Sequence, residues 1–589
     1  MTEPLIVRRD LDFLLYEWLG IETLFERPAF AEHSRETIDA MLNLAEEFAV
    51  AHFLPHYKQA DQREPHVDAD GVHILPAIRD ALARYAELGF FSAGFAPGVG
   101  GMGLPYLACS AAFAVFAAAN ISTVAYAMLT VANARLIAAF GTSAQIDAFA
   151  RPQIAGRWFG TMCLSEPQAG SSLADIRTRA QPDGADSLGF RYRLTGNKMW
   201  ISAGDHDAAE NIVHLVLAKI PRGDHSLPEG TKGISLFIVP KFLPDASRND
   251  IAVAGLNHKM GYRGTANCLL NFGERDGAIG WLVGKAGDGL QQMFMMMNEA
   301  RIGVGLGAAA LGYRGYRHAL QYARERQQGR PIGTRDGAPI AIIEHTDVKR
   351  MLLAQKAYAE GALALCLYCA KLVDEHDDAE AQALIGLLTP VVKSWSSEYG
   401  IAANDLAIQV HGGYGYTRDF DVEQLYRDNR LNPIHEGTTG IQAIDLLGRK
   451  ILRSDGEGLA VAQERIARTV AAAMAVPPLA VHARSLAAYW KKIRETIGAL
   501  REREGTRAFD NATYFHRAFS HVIVAWLWLE QGLIAEKSCA STAPDSAFYA
   551  GKLRACRFFF ECELPHADAW LALVGSGNDV ASGAPPEIF

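Results

Sequence analysis

The sequence predicts an α+β protein in which a β domain is set between two helical domains and followed by a further helical region. Three observations predict this. Residues up to about 160 carry apolar positions at helical spacing, clearest over Glu36–Phe53 and Ile78–Leu88. The pattern changes near Thr161 to short, β-branched or alternating runs separated by Gly, Pro, Asp and Asn. The helical period returns near Gly289 and continues to about Leu452. Strands do not alternate with helices, so no parallel βαβ sheet is expected.

Each element has its own signal. Leu88–Ala134 carries no charged side chain, but Pro97, Pro105 and several glycines break it. Its Ala, Ser, Thr and Asn content is less apolar than the Leu/Ile/Phe runs that enter bilayers, so it reads as a buried helix pair. The N-terminus has charges through its apolar part and does not read as a signal peptide. Phe190–Leu194, Ile212–Leu217, Ile234–Val239 and Cys268–Phe272 read as strands. Beyond Arg453, the runs Val470–Ala475, Leu486–Leu500 and Ala518–Ala535 read as helices, and Gly575–Phe589 as a loose tail.

The chain has 589 residues, with 57 Lys and Arg against 66 Asp and Glu, a net charge of −9. Hydrophobic residues make up 49% and charged residues 21%, which excludes disordered, collagenous and disulfide-scaffold classes. An acidic balance without a long basic run argues against nucleic-acid binding. The eight cysteines are scattered through apolar sequence, as reduced cytoplasmic thiols would be. The one CxxC, Cys366 to Cys369, lies in a helical run with no second pair or His nearby, and reads as core. No metal site is expected. Gly98-Val-Gly-Gly-Met-Gly103 matches G-x-G-x-x-G but lacks a clear preceding strand and an acidic residue about 20 positions on, so it reads as a helix-to-helix loop.

Four further segments form a more specific set. They are Met162-Cys-Leu-Ser-Glu-Pro-Gln-Ala-Gly-Ser-Ser172, Lys198-Met-Trp-Ile-Ser-Ala-Gly204, Arg324-Glu-Arg-Gln-Gln-Gly-Arg-Pro-Ile332, and Gln409-Val-His-Gly-Gly-Tyr-Gly-Tyr416 continuing through Arg427-Asp-Asn-Arg430 to Ile434-His-Glu-Gly-Thr-Thr-Gly-Ile-Gln442. In order and spacing they resemble the acyl-CoA dehydrogenase family over about residues 35–455. The family fold is an N-terminal helical domain, a middle β-barrel domain and a C-terminal four-helix bundle. The residues beyond it resemble the long members, which include 3-methylmercaptopropionyl-CoA dehydrogenase and broad-range fatty acyl-CoA dehydrogenases. The expected organisation is an extension over 1–35, a helical domain over 36–160, a β domain over 161–280, a bundle over 281–455 and an extra helical domain over 456–589.

The resemblance implies FAD-dependent α,β-dehydrogenation of an acyl-CoA thioester. A base takes the α-proton, flavin N5 takes the β-hydride, and electrons pass to electron-transfer flavoprotein. Glu436 matches the base, and its backbone N–H would polarise the thioester carbonyl. The family's alternative base position is Ala300 here, which accepts no proton; Glu299, one residue away, projects about 100° aside. Implied cofactor contacts are Met162, Leu164, Ser165, Ser171, Trp200, Ser202, Arg326, Gln328, His345, Gln409, Gly412, Gly413 and Thr438, with Arg326, Gln328, Gln409 and Gly413 reaching the FAD of a neighbouring subunit. Implied substrate contacts are Ser171, Asn298, Arg301, His435, Glu436 and Gly437. Asn298 stands where the family commonly has Asp, and Gly440 where it often has Gln. His411 reads as a packed structural histidine. Met293 and Met295–Met297 read as core ahead of acyl pocket. A homodimer in the cytoplasm is expected, with the extra domain packed on the bundle. A flavin oxidase or monooxygenase on the same fold, and a DNA-binding alkylation-response homologue, stay open as alternatives.

Overall fold

Ser34 starts the first long helix, α1 (Arg35–Phe48), by accepting the Thr37 backbone N–H on its hydroxyl. The computed structural model describes residues 5–454, 456–539 and 545–589, without the side chains of 295–297. The chain forms two compact units, one of residues 25–300 and one of residues 1–24 with 301–589.

In the first unit, α1 buries Ile38, Leu42, Ala45 and Phe48 on one face, and α2 (Pro76–Glu87) buries Ile78, Ala81, Leu82 and Tyr85. The uncharged segment becomes α3 (Tyr106–Phe140), buried along most of its length. It consists of two helical parts that meet at a kink at Asn120 (φ −161°, ψ 94°). The Asn120 amide donates to Phe53 O at 3.2 Å and its oxygen accepts from Thr123 N–H, so the break is hydrogen-bonded. The G-x-G-x-x-G segment is the loop ahead of α3, with a short 3₁₀ turn at Pro97–Val99.

Eight strands follow among the described residues: β1 (Trp158–Cys163), β2 (Arg179–Asp186), β3 (Gly189–Ser202), β4 (Asn211–Lys219), β5 (Ile234–Pro240), β6 (Ile251–Leu256), β7 (Asn267–Phe272) and β8 (Ala278–Leu282). Strand β8 pairs with both β5 and β3, which closes a ring β8–β5–β4–β2–β3. Strands β7 and β6 extend from β3, and β1 adds to β4. This is the expected barrel-like middle domain, closed as a barrel must be to remove its edges. There is no βαβ unit, but β1 runs parallel to β4, from Trp158 opposite Asn211 to Cys163 opposite Val216. Strands β4 and β5 are buried at every position, which is why they read as apolar runs without alternation.

The helix α4 (Gly289–Glu325) belongs to the second unit from Arg301 onward. There it joins α5 (Thr346–Asp374), α6 (Ala379–His411), α7 (Val422–Asn429) and α8 (Thr439–Ile444), which continues as a π-helical turn over Asp445–Leu452. The backbones of α4 and α6 touch: a Cβ on Gly305 would lie 2.6 Å from Val392 O, and one on Gly400 2.6 Å from Ala308 O. Cys366 and Cys369 are fully buried on α5 and, like the other described cysteines, free. Burial pushes the Cys366 thiol up to about 12, too high for redox chemistry at neutral pH.

Beyond Arg453 come α9 (Glu457–Met474), α10 (Ala480–Arg501), α11 (Ala512–Cys539), α12 (Ser546–Phe558) and α13 (His566–Ser576). Helix α11 packs on α5, α6 and α8 as well as on its own neighbours, so the apolar run Val522–Leu529 is covered by the bundle. Trp395 of α6 donates its indole N–H to His521 Nδ1 at 3.3 Å, and His521 Nε2 lies 3.1 Å from Tyr399 Oη. Helices α3 and α11 are long and apolar enough to cross a membrane, yet their most apolar stretches are 89% and 83% buried within the protein. Residues 5–24 do not join the N-terminal helical domain. Phe13, Leu14 and Leu15 are fully buried in the second unit, where Phe13 meets Phe548 edge-on at 5.6 Å.

Candidate active site

In the first unit, β1 delivers Met162, Leu164 and Ser165, and β3 delivers Trp200 and Ser202. The two segments are locked together. Met199 N–H donates to Ser165 O at 3.0 Å, and the fully buried Lys198 donates to Leu164 O at 3.0 Å and Glu166 Oε1 at 2.9 Å. Glu166 also accepts from Arg177 N–H, Thr178 N–H and Thr178 Oγ1. Burial pushes its carboxyl up, but Lys198 and these donors outweigh that and hold it at about 2, so Glu166 is ionised. Trp200 adopts φ 65° and is 58% exposed, a large aromatic face presented to solvent. Ser202 Oγ accepts from Asn267 Nδ2 at 3.2 Å. Among the described residues, nothing hydrogen-bonds the hydroxyls of Ser165 or the exposed Ser171. An open aromatic plane beside unengaged hydroxyls fits a flavin ring and its polar edges. Met293 is buried in the core of this unit, as its sequence predicts, and Met295–Met297 lie outside the described side chains.

Asn298 is half-buried on α4. The adjacent Glu299 carboxylate is ion-paired with Arg135.

In the second unit, Glu436 sits in the loop between α7 and α8 with φ 53°, followed by Gly437 at φ 88°. Two successive left-handed residues turn the chain sharply, and Glu436 has no glycine exemption from the strain. Gly437 is favoured by its φ, and a Cβ there would also meet Gln442 Nε2 at 2.7 Å and displace that side chain. The turn is held from two sides. Gln442 Nε2 donates to Glu436 O at 2.9 Å, and Lys393 Nζ donates to Gly437 O at 2.6 Å. Thr438 caps α8, its Oγ1 accepting Ile441 N–H at 3.4 Å. Burial pushes the Glu436 carboxyl above its ordinary value, and the charges of Arg301 and Lys393 pull it partly back. Arg301 is buried and donates to Asp445 Oδ2 at 2.8 Å. His435 lies 3.1 Å from Asn432 Oδ1, and burial with Lys393 pushes it down to about 3, so it is neutral.

A third group lies in the same unit. The Arg326 guanidinium stands 5.7 Å over the Tyr414 ring, and His345 Nε2 lies 2.8 Å from Gln328 O. Gln409, Gly412 and Gly413 sit exposed at the end of α6. Among the described residues, the exposed side chains of Arg326, Gln328 and Gln409 make no hydrogen bond. His411 is structural, as its sequence predicts: it stacks on Tyr322 at 4.4 Å, with Nδ1 2.7 Å from Ala407 O.

Two residues of this site escape sequence reasoning, Lys393 and Gln442. The only signal for Lys393 is a lone cation inside the apolar run Leu384–Trp395.

A closed β ring offering an open indole and free hydroxyls, and a bundle carrying a half-buried, strained carboxylate, define a flavin-dependent oxidoreductase. The chain belongs to the acyl-CoA dehydrogenase family, and its cofactor is FAD. Family models match in order: acyl-CoA dehydrogenase N-terminal domain over residues 35–157, middle domain over 161–274 and C-terminal domain over 287–452, then acetyl-CoA dehydrogenase C-terminal like over 462–585. The chain is 35% identical to 3-methylmercaptopropionyl-CoA dehydrogenase of Ruegeria pomeroyi, over 85% of this chain and 86% of that one. It is 33% identical to the broad-specificity linear acyl-CoA dehydrogenase FadE5 of Mycobacterium tuberculosis, over 95% of each. Caenorhabditis elegans ACDH-11, solved in complex with C11-CoA, shares the fold with a TM-score of 0.80 at 20% identity, covering 99% of this chain and 97% of that one.

Proposed function

We propose that the chain dehydrogenates an acyl-CoA at its α,β carbons to the trans-2-enoyl-CoA, with Glu436 removing the α-proton and electron-transfer flavoprotein receiving the electrons. The observation that carries this is the Glu436 turn: a half-buried carboxylate of raised basicity, fixed at φ 53° by Gln442 and Lys393 and, among the described residues, in no salt bridge of its own. FAD, when bound, supplies the acceptor for the β-hydrogen and its electron pair. Ser165, Ser171, Trp200 and Ser202 would hold it, with Met162, Leu164 and Thr438 alongside. The Glu436 backbone N–H donates to the thioester oxygen, where charge develops as the proton leaves. Asn298, Arg301, His435 and Gly437 border the acyl-CoA. A neutral His435 adds no charge to an apolar acyl chain. Turnover of acyl-CoAs from C3 to C18 and of 3-methylmercaptopropionyl-CoA, with a dye as electron acceptor, tests the reading; no reduction by any of them overturns it.

Arg326, Gln328, Gln409 and Gly413 are read as reaching the FAD of a second copy, in a homodimer in the cytoplasm, with His345 and Gly412 as further cofactor contacts. The exposure of Arg326, Gln328, Gln409 and Gly413, and the absence among the described residues of a hydrogen bond from the Arg326, Gln328 and Gln409 side chains, support this. Arg326→Ala should therefore lower FAD retention and dimer stability together, measured by flavin absorbance and light scattering. A monomeric protein with full FAD occupancy would contradict it.

A further inference from the structure

Lys393 sits on α6 with no exposed surface, in a stretch otherwise packed as core. A buried ammonium is costly unless it is hydrogen-bonded and faces negative charge. Its hydrogen bond goes to Gly437 O at 2.6 Å, the carbonyl immediately after the strained turn. The charged groups around it are Glu436 on the loop, Arg301 on α4 and Glu398 on α6. His435 on the loop and His516 on α11 also feel its charge, and both are held below the ordinary histidine value by burial. Of the two carboxylates, Glu398 is engaged by Arg517, at 3.3 Å from its Nη2. Arg301 is neutralised by Asp445 at 2.8 Å. Lys393 is thus the cation beside Glu436 whose charge is not already taken up by a carboxylate.

We propose that Lys393 is a positioning residue for the proton-abstracting step: its ammonium pins the Gly437 carbonyl so that Glu436 keeps its left-handed turn, and its positive charge faces the Glu436 carboxyl. This rests on Glu436 being the base. The two effects are separable. The hydrogen bond fixes where the carboxylate points, and a misplacement of about 1 Å costs on the order of 10²-fold in rate. The charge fixes the pH at which the carboxylate forms, since a cation nearby favours the ionised acid. Burial brings Lys393 itself down to about 7, with the Glu436 carboxylate acting against that fall.

The test uses holoenzyme carrying Lys393→Met, Lys393→Gln and Lys393→Arg. All three should retain FAD. Lys393→Met should lose about 10²-fold in kcat with little change in KM. Its acid limb of kcat/KM should move to higher pH by about one unit, because removing a neighbouring positive charge raises a carboxyl's pKa. Lys393→Gln keeps an N–H donor without charge, so it should show the same acid-limb shift with a smaller loss of kcat. Lys393→Arg keeps the charge and should hold the acid limb at its wild-type position. A merely structural lysine would lower kcat or stability without moving the limb. If Lys393→Met does not fold, the Gln and Arg pair still decides. Wild-type acid limbs in all variants that fold would overturn the proposal, as would a limb moved equally by Arg and Gln. If Glu436→Gln is inactive while Lys393→Met turns over normally, this inference alone fails. If Glu436→Gln turns over, the assignment of the base fails first.

Discussion

Glu436→Gln should keep its fold and its FAD and still bind acyl-CoA, while turnover falls by about 10²- to 10⁴-fold or more. The substitution leaves the shape of the turn intact. Its backbone carbonyl still accepts from Gln442 Nε2, and Gly437 O still accepts from Lys393, because neither bond involves the carboxyl. What disappears is the one group in this loop able to accept a proton. His435 is neutral with a pKa near 3 and is too weak a base to replace it. Glu299 is a poor substitute because Arg135 holds its carboxylate. The measurement is turnover with a dye acceptor beside a binding titration on the same preparation. A kcat close to wild type would place the base elsewhere and end the proposed mechanism.

The pH dependence of that step follows from the same turn. Burial raises the Glu436 carboxyl, so without nearby cations it would stay protonated further toward neutrality. Arg301 and Lys393 act against burial and extend the pH range in which the base is ready. The carboxylate form is therefore present above the folded pKa and lost as pH falls through it, which sets the acid limb.

The proposed chemistry was legible in the sequence because the flavin and thioester contacts it assigns fall in short segments of recognisable order and spacing. Ser165, Trp200 and Glu436 each sit inside such a segment. The strands were legible where burial is continuous, as in Asn211–Lys219 and Ile234–Pro240, or where apolar residues are dense, as in Cys268–Phe272. Strand β2 was not, since Arg179-Ala-Gln-Pro-Asp-Gly-Ala-Asp186 is mostly exposed and is held in register by pairing with β3, which no local pattern encodes. Lys393 and Gln442 were not legible for another reason. Their role is to hold backbone carbonyls, and carbonyls carry no side-chain signature. The placement of residues 5–24 depends on partners about half a thousand residues away. Arg9 bonds Asp545 at 2.9 Å, and Trp18 donates to Glu530 at 3.1 Å. Charges that look like solvated surface in the N-terminal sequence are in part buried pairs.

Lys552→Met should destabilise the helical unit by about 3–5 kcal/mol, the usual cost of removing one partner from a buried ion pair. Lys552 on α12 is 1% exposed and bridges Asp10 Oδ1 and Glu360 Oε2, each at 2.8 Å. Lys356 pairs with Glu360, and Tyr313 donates its hydroxyl to Asp10. Two carboxylates and two ammonium groups make a neutral cluster, so each member depends on the others for its burial. The cluster joins the N-terminal segment, α4, α5 and α12, elements that no shared local sequence connects. Taking away Lys552 leaves Asp10 and Glu360 against the single charge of Lys356. Burial pushes the Asp10 carboxyl up, but Lys552 and Lys356 outweigh it and hold the group below its ordinary value of 3.8. Its contribution to stability is therefore present above that ordinary value and lost as pH falls through the folded one. The wild-type protein should lose stability on acidification through this range, and Lys552→Met should lose less, because Asp10 is then no longer held below 3.8 by the missing ammonium. Urea unfolding of both proteins at neutral and acid pH measures this. Equal midpoints at neutral pH, or equal losses on acidification, would show that the cluster does not carry the attachment of the N-terminal segment.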